Sequence, residues 1–539
     1  MTIGVIRAAG TRLWNEAESA RLVLRSGVVG IETPHTMLTA ATAMLRYGTI
    51  AAGLALAAAR HPERTALIDE LGELTFAELE ERSNRLANAW RARGLHGGEG
   101  VAILARNHRG LLDAVFAAAK CGARIILLNT DFAGPQIRDV ATREGTDLLV
   151  YDDEYAGMLE GVTPRRGSYR AWTDEPRADS LEALIAEGDP SSPPAPGAVP
   201  KLILLTSGTT GTPKGAPRAE PKSLLALGAL LSKVPFRAGE VTECCAPIFH
   251  TLGFAMAMLS IGFGSTLVIR RRFDPQTAID SAAEHKATTM IVVPVMLQRM
   301  VDLGPKALTA HDLTALRIIF VAGSQLGAQL CRDVMGTFGP VVYNLYGSTE
   351  VAYATVATPE DLVVEPGCVG KPVLGAHVEI VDERGRRVPA GVTGRIFVGN
   401  GVQFEGYTGG GHKEQLRGLM SSGDVGHFDS EGRLFIDGRD DDMIVSGGEN
   451  VFPGEVEELL HTHPAVMEAA VIGVEDEKFG SRLKAFVVVH AGHELTEDDT
   501  KSFVKSNLAR YKVPREVVFI DELPRNPTGK VLKKNLRAL

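Results

Sequence analysis

Cysteine is scarce in this chain. Cys121, Cys244, Cys245, Cys331 and Cys368 are five among 539 residues, an odd count with no Cys-x-x-Cys pair. A disulfide scaffold is a poor fit, and a reducing cytosol is the expected setting. Positive charge is not in excess either. The net charge of -9 gives no support for nucleic acid as a partner. Uninterrupted apolar runs fall short of the eighteen or so residues that read as a transmembrane helix, and the first residues lack the charged-then-apolar pattern of a signal peptide. The common phosphate loop, Gly-x-x-x-x-Gly-Lys followed by Ser or Thr, is also missing. The Gly-Lys pairs are Gly370-Lys371, followed by Pro372, and Gly529-Lys530, followed by Val531, and neither fits.

What remains is a chain of ordinary globular composition, 45% apolar and 23% charged. Its length exceeds one usual core and predicts two or more domains. The stretch from Leu202 to Ala216 organises it. An apolar run, Leu202-Ile203-Leu204-Leu205, leads into Thr206-Ser207-Gly208-Thr209-Thr210-Gly211-Thr212-Pro213-Lys214-Gly215. The run predicts a buried strand, and the loop suits a polyphosphate. Glycines let backbone N–H groups approach, hydroxyls donate, and Lys214 adds charge. A bland surface loop of this composition is the alternative, and the density of hydroxyls behind a strand argues against it.

Residues 1–35 carry Arg7, Arg12, Arg21 and Arg25 among apolar residues at helical spacing, and residues 36–60 are Ala- and Leu-rich, broken by Arg46 and Gly53. An ordinary packed N-terminal helix is expected, with a membrane-surface helix as the competing reading. From Thr65 to Thr146, strand-like runs alternate with helical stretches such as Phe76–Arg93, the pattern of a parallel α/β layer. His250 precedes the apolar run Leu252–Ile261. Alone, such a histidine is usually just packed.

Two further strands end in polar blocks. Arg317–Ala322 enters a turn at Gly323-Ser324, and Val341–Leu345, which includes Asn344, enters Tyr346-Gly347-Ser348-Thr349-Glu350. Strand ends facing one crevice are where open α/β sheets bind ligands. Tyr346 can stack on a base, Thr349 can reach a phosphate, and Glu350 can hold Mg²⁺ through oxygen. Residues 376–440 read as short strands with turns, a small β subdomain. The last hundred residues alternate helix and strand as a compact α+β unit.

Taken in order, these blocks resemble the adenylate-forming enzymes, within them most closely the fatty acyl-CoA synthetases, over roughly residues 65 to 539. The fold implied is α/β: a large N-terminal domain of parallel-sheet layers with a small β subdomain, followed by a small mobile α+β C-terminal domain. The expected divisions are an N-terminal helical extension at 1–64, an adenylate-forming domain at 65–440 and a C-terminal domain at 441–539. The activity implied is ATP-dependent activation of a carboxylic acid through an acyl-adenylate, then transfer to CoA, with Mg²⁺ as metal.

The resemblance also assigns roles. Thr206, Ser207, Gly208, Thr209, Thr210, Gly211 and Lys214 fall on the phosphate loop. Gly323, Ser324, Asn344, Tyr346, Gly347, Ser348, Thr349 and Glu350 fall on the adenine and metal motifs, with Glu350 as the Mg²⁺ ligand. Asp424 matches the ribose-binding acid, and Ile436 and Arg439 the segment packed on the nucleotide. His250 falls where the acyl pocket is lined, Asp441 at the hinge, and Ser446-Gly447-Gly448-Glu449 at the CoA tunnel. Lys530 is the implied catalytic lysine. Departures are Gln325-Leu326 after Ser324 without the usual proline, Thr408–His412 in place of a Pro- and Glu-containing stretch, and no Trp before Ser422-Gly423-Asp424.

The apolar segment after His250 favours a fatty or other hydrophobic acid, and no acid near the pocket entrance suits an amino-acid substrate. An acyl-AMP ligase serving a carrier protein, an aryl-CoA ligase and a nucleotide-binding protein without turnover are the alternatives. A cytoplasmic enzyme is expected. Its partners are a small carboxylic acid, ATP and CoA, with a homodimer and peripheral membrane contact left open.

Overall fold

The computed structural model describes residues 2–30, 33–206, 214–218, 223–402, 406–408, 410, 412–440, 444–446, 449–476, 480–509, 512–526 and 529–539. At residues 2–9, 35, 206, 214, 218, 445, 446, 449, 450 and 480 it describes the backbone alone.

Two largely parallel sheets carry most of the chain. The six-stranded sheet has the order Ser168–Trp172, Thr146–Asp152, Gly100–Leu104, Arg124–Leu127, Lys201–Thr206, Lys214–Arg218. Its central strands are continuous apolar runs buried on both faces, as parallel strands under helices must be. The nine-stranded sheet runs from Lys371–Pro372 through Thr355–Ala357, Val342–Tyr346, Ile318–Val321, Thr289–Val292, Val241–Cys244, Thr266–Ile269 and Thr65–Asp69 to Gly72–Thr75. The Ala-rich helix Arg109–Lys120 is buried along nearly its whole length. One apolar cluster includes this helix together with Leu67 of the larger sheet and Val101 and Ile125 of the smaller. Helix and sheets therefore share a single core, and small alanines let the layers approach closely.

The expected β subdomain is an antiparallel sheet of His377–Val381, Gly394–Gly399, Gln415–Leu416, Leu419–Phe428 and Leu434–Arg439. The last unit pairs Val466–Asp476 with Gly480–Val489 over ten register positions, with Glu516–Phe519 added in parallel and helices Pro453–His461 and Glu497–Asn507 alongside. Helix Glu497–Asn507 stops where Leu508 turns to extended backbone.

The N-terminal region is helical, as Thr2–Ser26 and Pro34–Arg60. The break expected at Arg46 and Gly53 lies instead at Gly48, which adopts φ 74 and ψ -175. Gly53 stays helical and lies against Gly262 of helix Thr251–Gly262. The absence of any membrane-spanning candidate is also corrected. By length and composition Thr36–Arg60 passes, with hydropathy 1.2, although 44% of that window is buried. The reason is composition: its alanines count as apolar while serving as close-packing surface.

Helix Thr251–Gly262 is the element that sets His250. Gly253 lies so tightly against the preceding turn that a Cβ there would sit 2.2 Å from the Pro247 carbonyl oxygen. Gly253→Ala must push this turn away from the helix. We expect a loss of about 1–3 kcal/mol, the usual cost of overpacking, measured as a lower urea midpoint at unchanged m-value. An unshifted midpoint would show that the turn yields freely.

Candidate functional site

Parallel pairing decides where the two polar blocks emerge. Val321 is in register with Asn344, so Gly323-Ser324 and Tyr346–Glu350 leave the same edge of the nine-stranded sheet. Beside them begins helix Thr251–Gly262, with the Thr251 and Thr349 hydroxyls 3.3 Å apart. His250 caps this helix in extended backbone. Its ring lies 4.5 Å from that of Phe249, and among the described residues its Nε2 is buried without a hydrogen-bond partner. Burial pushes the imidazole down to about 4, so it is neutral at physiological pH.

The β subdomain supplies the opposite wall. Tyr346 Oη donates to Asp424 Oδ2 at 2.6 Å, and Arg439 Nη1 donates to Asp424 Oδ1 at 3.2 Å. Asp424 and Arg439 are directly paired across strands Leu419–Phe428 and Leu434–Arg439, so this contact is built into the sheet register. Burial raises the Asp424 carboxyl, while Arg439, the Tyr346 hydroxyl and Lys530 act against that rise. Burial and the adjoining carboxylate hold the Tyr346 phenol well above its usual range. It is a neutral donor to the Asp424 carboxyl. Ile436 belongs to the same strand as Arg439, two residues beyond Leu434 of the subdomain core.

Glu350 is oriented by two hydroxyls. Ser348 Oγ donates to its Oε2 at 2.9 Å and Tyr407 Oη to its Oε1 at 2.8 Å. A carboxylate has roughly four acceptor positions, so two such donors leave lone pairs for a hard cation. This donor set fits Mg²⁺.

The C-terminal unit closes over this edge. Arg525 and Val531 are joined by an antiparallel bridge, and the Lys530 backbone N–H donates to Asn526 Oδ1 at 2.8 Å. Gly529, at φ 76, would place a Cβ 2.2 Å from Val295 Cγ1, so the loop rests directly on the large domain. Lys530 is exposed, and its charge reaches Asp424. A second contact holds the two units together: Gln325 Nε2 donates to Glu458 Oε1 at 2.7 Å.

The structure thus brings together Ser324, Asn344, Tyr346, Ser348, Thr349, Glu350, Asp424, Arg439, Lys530 and, through its helix, His250. Ser207, Gly208, Thr209, Thr210, Gly211, Asp441, Gly447 and Gly448 lie outside the described residues. Thr206 and Lys214 pair with each other at the ends of two antiparallel strands, so Lys214 opens a strand rather than lying within the loop. Ser446 and Glu449 pair likewise around 447–448. Sequence reasoning missed Tyr407 and the Gln325–Glu458 contact. Tyr407 adjoins the stretch that departs from the expected pattern, and a lone tyrosine in a glycine-rich segment carries no periodic signal. Gln325 was noted only for not being proline.

A neutral buried histidine has a thermodynamic signature. The unfolded imidazole takes up a proton near 6.5 and the folded one only near 4, so between these values the unfolded state binds more protons. Stability rises with pH across this window, by up to about 1.4 kcal/mol per unit. His250→Gln should flatten that slope in urea titrations from pH 4 to 6.5. An unchanged slope would mean that His250 is solvated.

The chain is similar to known proteins over most of its length. The AMP-binding enzyme family is matched over residues 54–408, and the AMP-binding enzyme C-terminal domain over residues 455–530. The chain is 32% identical to a fatty acid–[acyl-carrier-protein] ligase, ScoC, of Streptomyces coeruleorubidus, over 89% of this chain and 94% of that protein. It is 33% identical to an indoleacetate–CoA ligase of Aromatoleum aromaticum, covering 89% and 95%. The solved o-succinylbenzoate CoA synthetase of Bacillus subtilis, in complex with its acyl-adenylate intermediate, superposes with a TM-score of 0.78 at 28% identity, covering 90% of this chain and 97% of that one. A strand-end site facing Asp424, a small domain carrying Lys530 and these matches across most of the chain lead to one conclusion: the protein belongs to the AMP-binding, adenylate-forming enzyme family.

Proposed function

We propose that this enzyme activates a hydrophobic carboxylic acid, most simply a fatty acid, and joins it to the thiol of CoA. The observation that carries the reading is the convergence of Tyr346, Asp424 and Arg439 with the Lys530 loop at one sheet edge. In this reading Asp424 accepts from the ribose hydroxyls, held in place by Tyr346 and Arg439. Asn344, Tyr346, Gly347, Gly323, Ser324 and Ile436 surround the base. Thr206 to Gly211, Lys214 and Thr349 hold the phosphates.

Carboxylate and triphosphate repel each other, so the site must supply positive charge and alignment. Lys530 bridges the attacking carboxylate oxygen and the α-phosphate. The oxygen bonds to the α-phosphorus, the bond to the β-phosphate breaks, and pyrophosphate leaves. Glu350 would hold Mg²⁺, which supplies charge for the leaving group. The CoA thiolate then bonds to the acyl carbon and AMP departs. Because Lys530 occupies the first site, this second step requires the C-terminal unit to turn about Asp441, bringing Ser446–Glu449 to the CoA path. His250, neutral and buried, borders the acyl pocket and fixes where it begins. In this reading the enzyme works in the cytoplasm.

A carrier-protein acceptor is the second reading, favoured by the similarity to ScoC. An aryl acid is the third, favoured by the similarity to the indoleacetate ligase.

Pyrophosphate release should be screened over short, medium and long fatty acids, aromatic acids and amino acids, with and without CoA and a carrier protein. We expect a fatty acid to score highest and CoA to yield the thioester by mass. Lys530→Ala should lower adenylation by at least about 100-fold, given the size of single electrostatic contributions at such sites. Adenylate without CoA thioester would move the assignment to the carrier-protein ligase. Release with no acid, or full activity in Lys530→Ala, would contradict it.

A further inference from the structure

The first 46 residues break the rule that large apolar side chains point inward. Eight of the eighteen large apolar side chains exposed among the described residues lie there, in less than a tenth of the chain. Their spacing is helical. On Thr2–Ser26 the buried line is Ser19, Val23 and Ser26, and Ser19 fits against Gly228 of helix Leu225–Leu231. The outward line at intervals of three and four is Trp14, Ala17, Arg21 and Leu24, with Leu13 beside it. Leu13 is 72% exposed and Trp14 is 61% exposed. This helix turns its small and polar side inward and its bulky side outward, the inverse of an ordinary surface helix.

The second helix repeats the arrangement up to its kink. Before Gly48 it buries Thr36, Ala43 and Tyr47 and exposes Met37, Leu38, Met44 and Leu45, the last at 88%. After Gly48 the same helix enters the core, with Ala51, Leu54 and Ala57 buried. The kink therefore separates a structural half from a half with an uncovered apolar face. Exposed apolar surface of this extent marks an interaction site.

Charge decides between occupants. Residues 1–46 hold five arginines against three glutamates in a chain whose net charge is -9. Arg21 lies within the outward line itself and Arg25 adjoins it. Arg12 and Arg46 are exposed nearby. Tryptophan, leucine and arginine on one helical face are the composition of an interfacial amphipathic helix, apolar into the acyl boundary and cationic among the headgroups. A second copy docked symmetrically through the same helices would set these arginines against their own equivalents. We propose that the two N-terminal helices dock the enzyme on an anionic lipid surface. The inference does not depend on the acid or the acceptor proposed above.

Flotation of the full chain with phosphatidylcholine vesicles, with and without phosphatidylglycerol, tests this. Binding should require the anionic lipid and weaken with salt. Leu13→Gln/Trp14→Gln/Leu24→Gln and Met37→Gln/Leu38→Gln/Met44→Gln/Leu45→Gln should each reduce it on the order of tenfold, at unchanged Tm because the side chains are exposed. Brominated lipid should quench Trp14 fluorescence, a signal that Trp14→Phe removes. No flotation, or flotation of both variants equal to that of the unsubstituted chain, would overturn the proposal. So would a wild-type dimer that both variants dissociate without any vesicle binding, since the faces would then cover each other.

Discussion

The site depends on one buried carboxylate. Asp424 belongs to the small antiparallel sheet, while Tyr346, which donates to it, belongs to the nine-stranded sheet. That hydrogen bond, backed by Arg439, ties the subdomain to the strand ends beside the one from Tyr407 to Glu350. An anion in such surroundings is costly unless its lone pairs are occupied and a cation is near. Arg439 supplies part of the charge, and the Lys530 loop adds more from the C-terminal unit. The same carboxylate thus links three parts of the chain. Its surroundings also suit a tyrosine at 346, since a phenol enclosed there needs a partner for its hydroxyl and Asp424 supplies it.

Much of this was legible beforehand. Apolar runs such as Leu202–Leu205 and Arg317–Ala322 marked one strand in each of the two sheets, because continuous burial leaves a signature in sequence. The Tyr-Gly-Ser-Thr-Glu block and Asp424 could be matched because their chemistry is local in sequence. Contacts made across long separations were not. Tyr407 reaches Glu350, and Gln325 reaches Glu458, through folding alone. The kink at Gly48 rather than Gly53 was also hidden. Both are glycines in an Ala-rich helix, and only the close approach to Gly262 shows which one is packed.

The N-terminal helices carry a different lesson. Alanine-rich composition predicted packing, and the half beyond Gly48 is packed. The half before it presents leucine and methionine outward at the same helical period that would have buried them. Periodicity identifies a helix and its apolar stripe but does not say what the stripe faces. That depends on the neighbours: on the first helix, Gly228 meets the small Ser19 and leaves Trp14 and Leu24 outward.

The central claim is that a carboxylate oxygen of the acid becomes bonded to the α-phosphorus at the Asp424–Lys530 edge. Turnover of an acid labelled with oxygen-18 in its carboxylate, followed by mass analysis of the nucleotide product, tests it most directly. The account predicts AMP carrying one labelled oxygen and unlabelled pyrophosphate. Unlabelled AMP, or label in pyrophosphate or phosphate, would contradict attack at the α-phosphorus and with it the role given to Lys530.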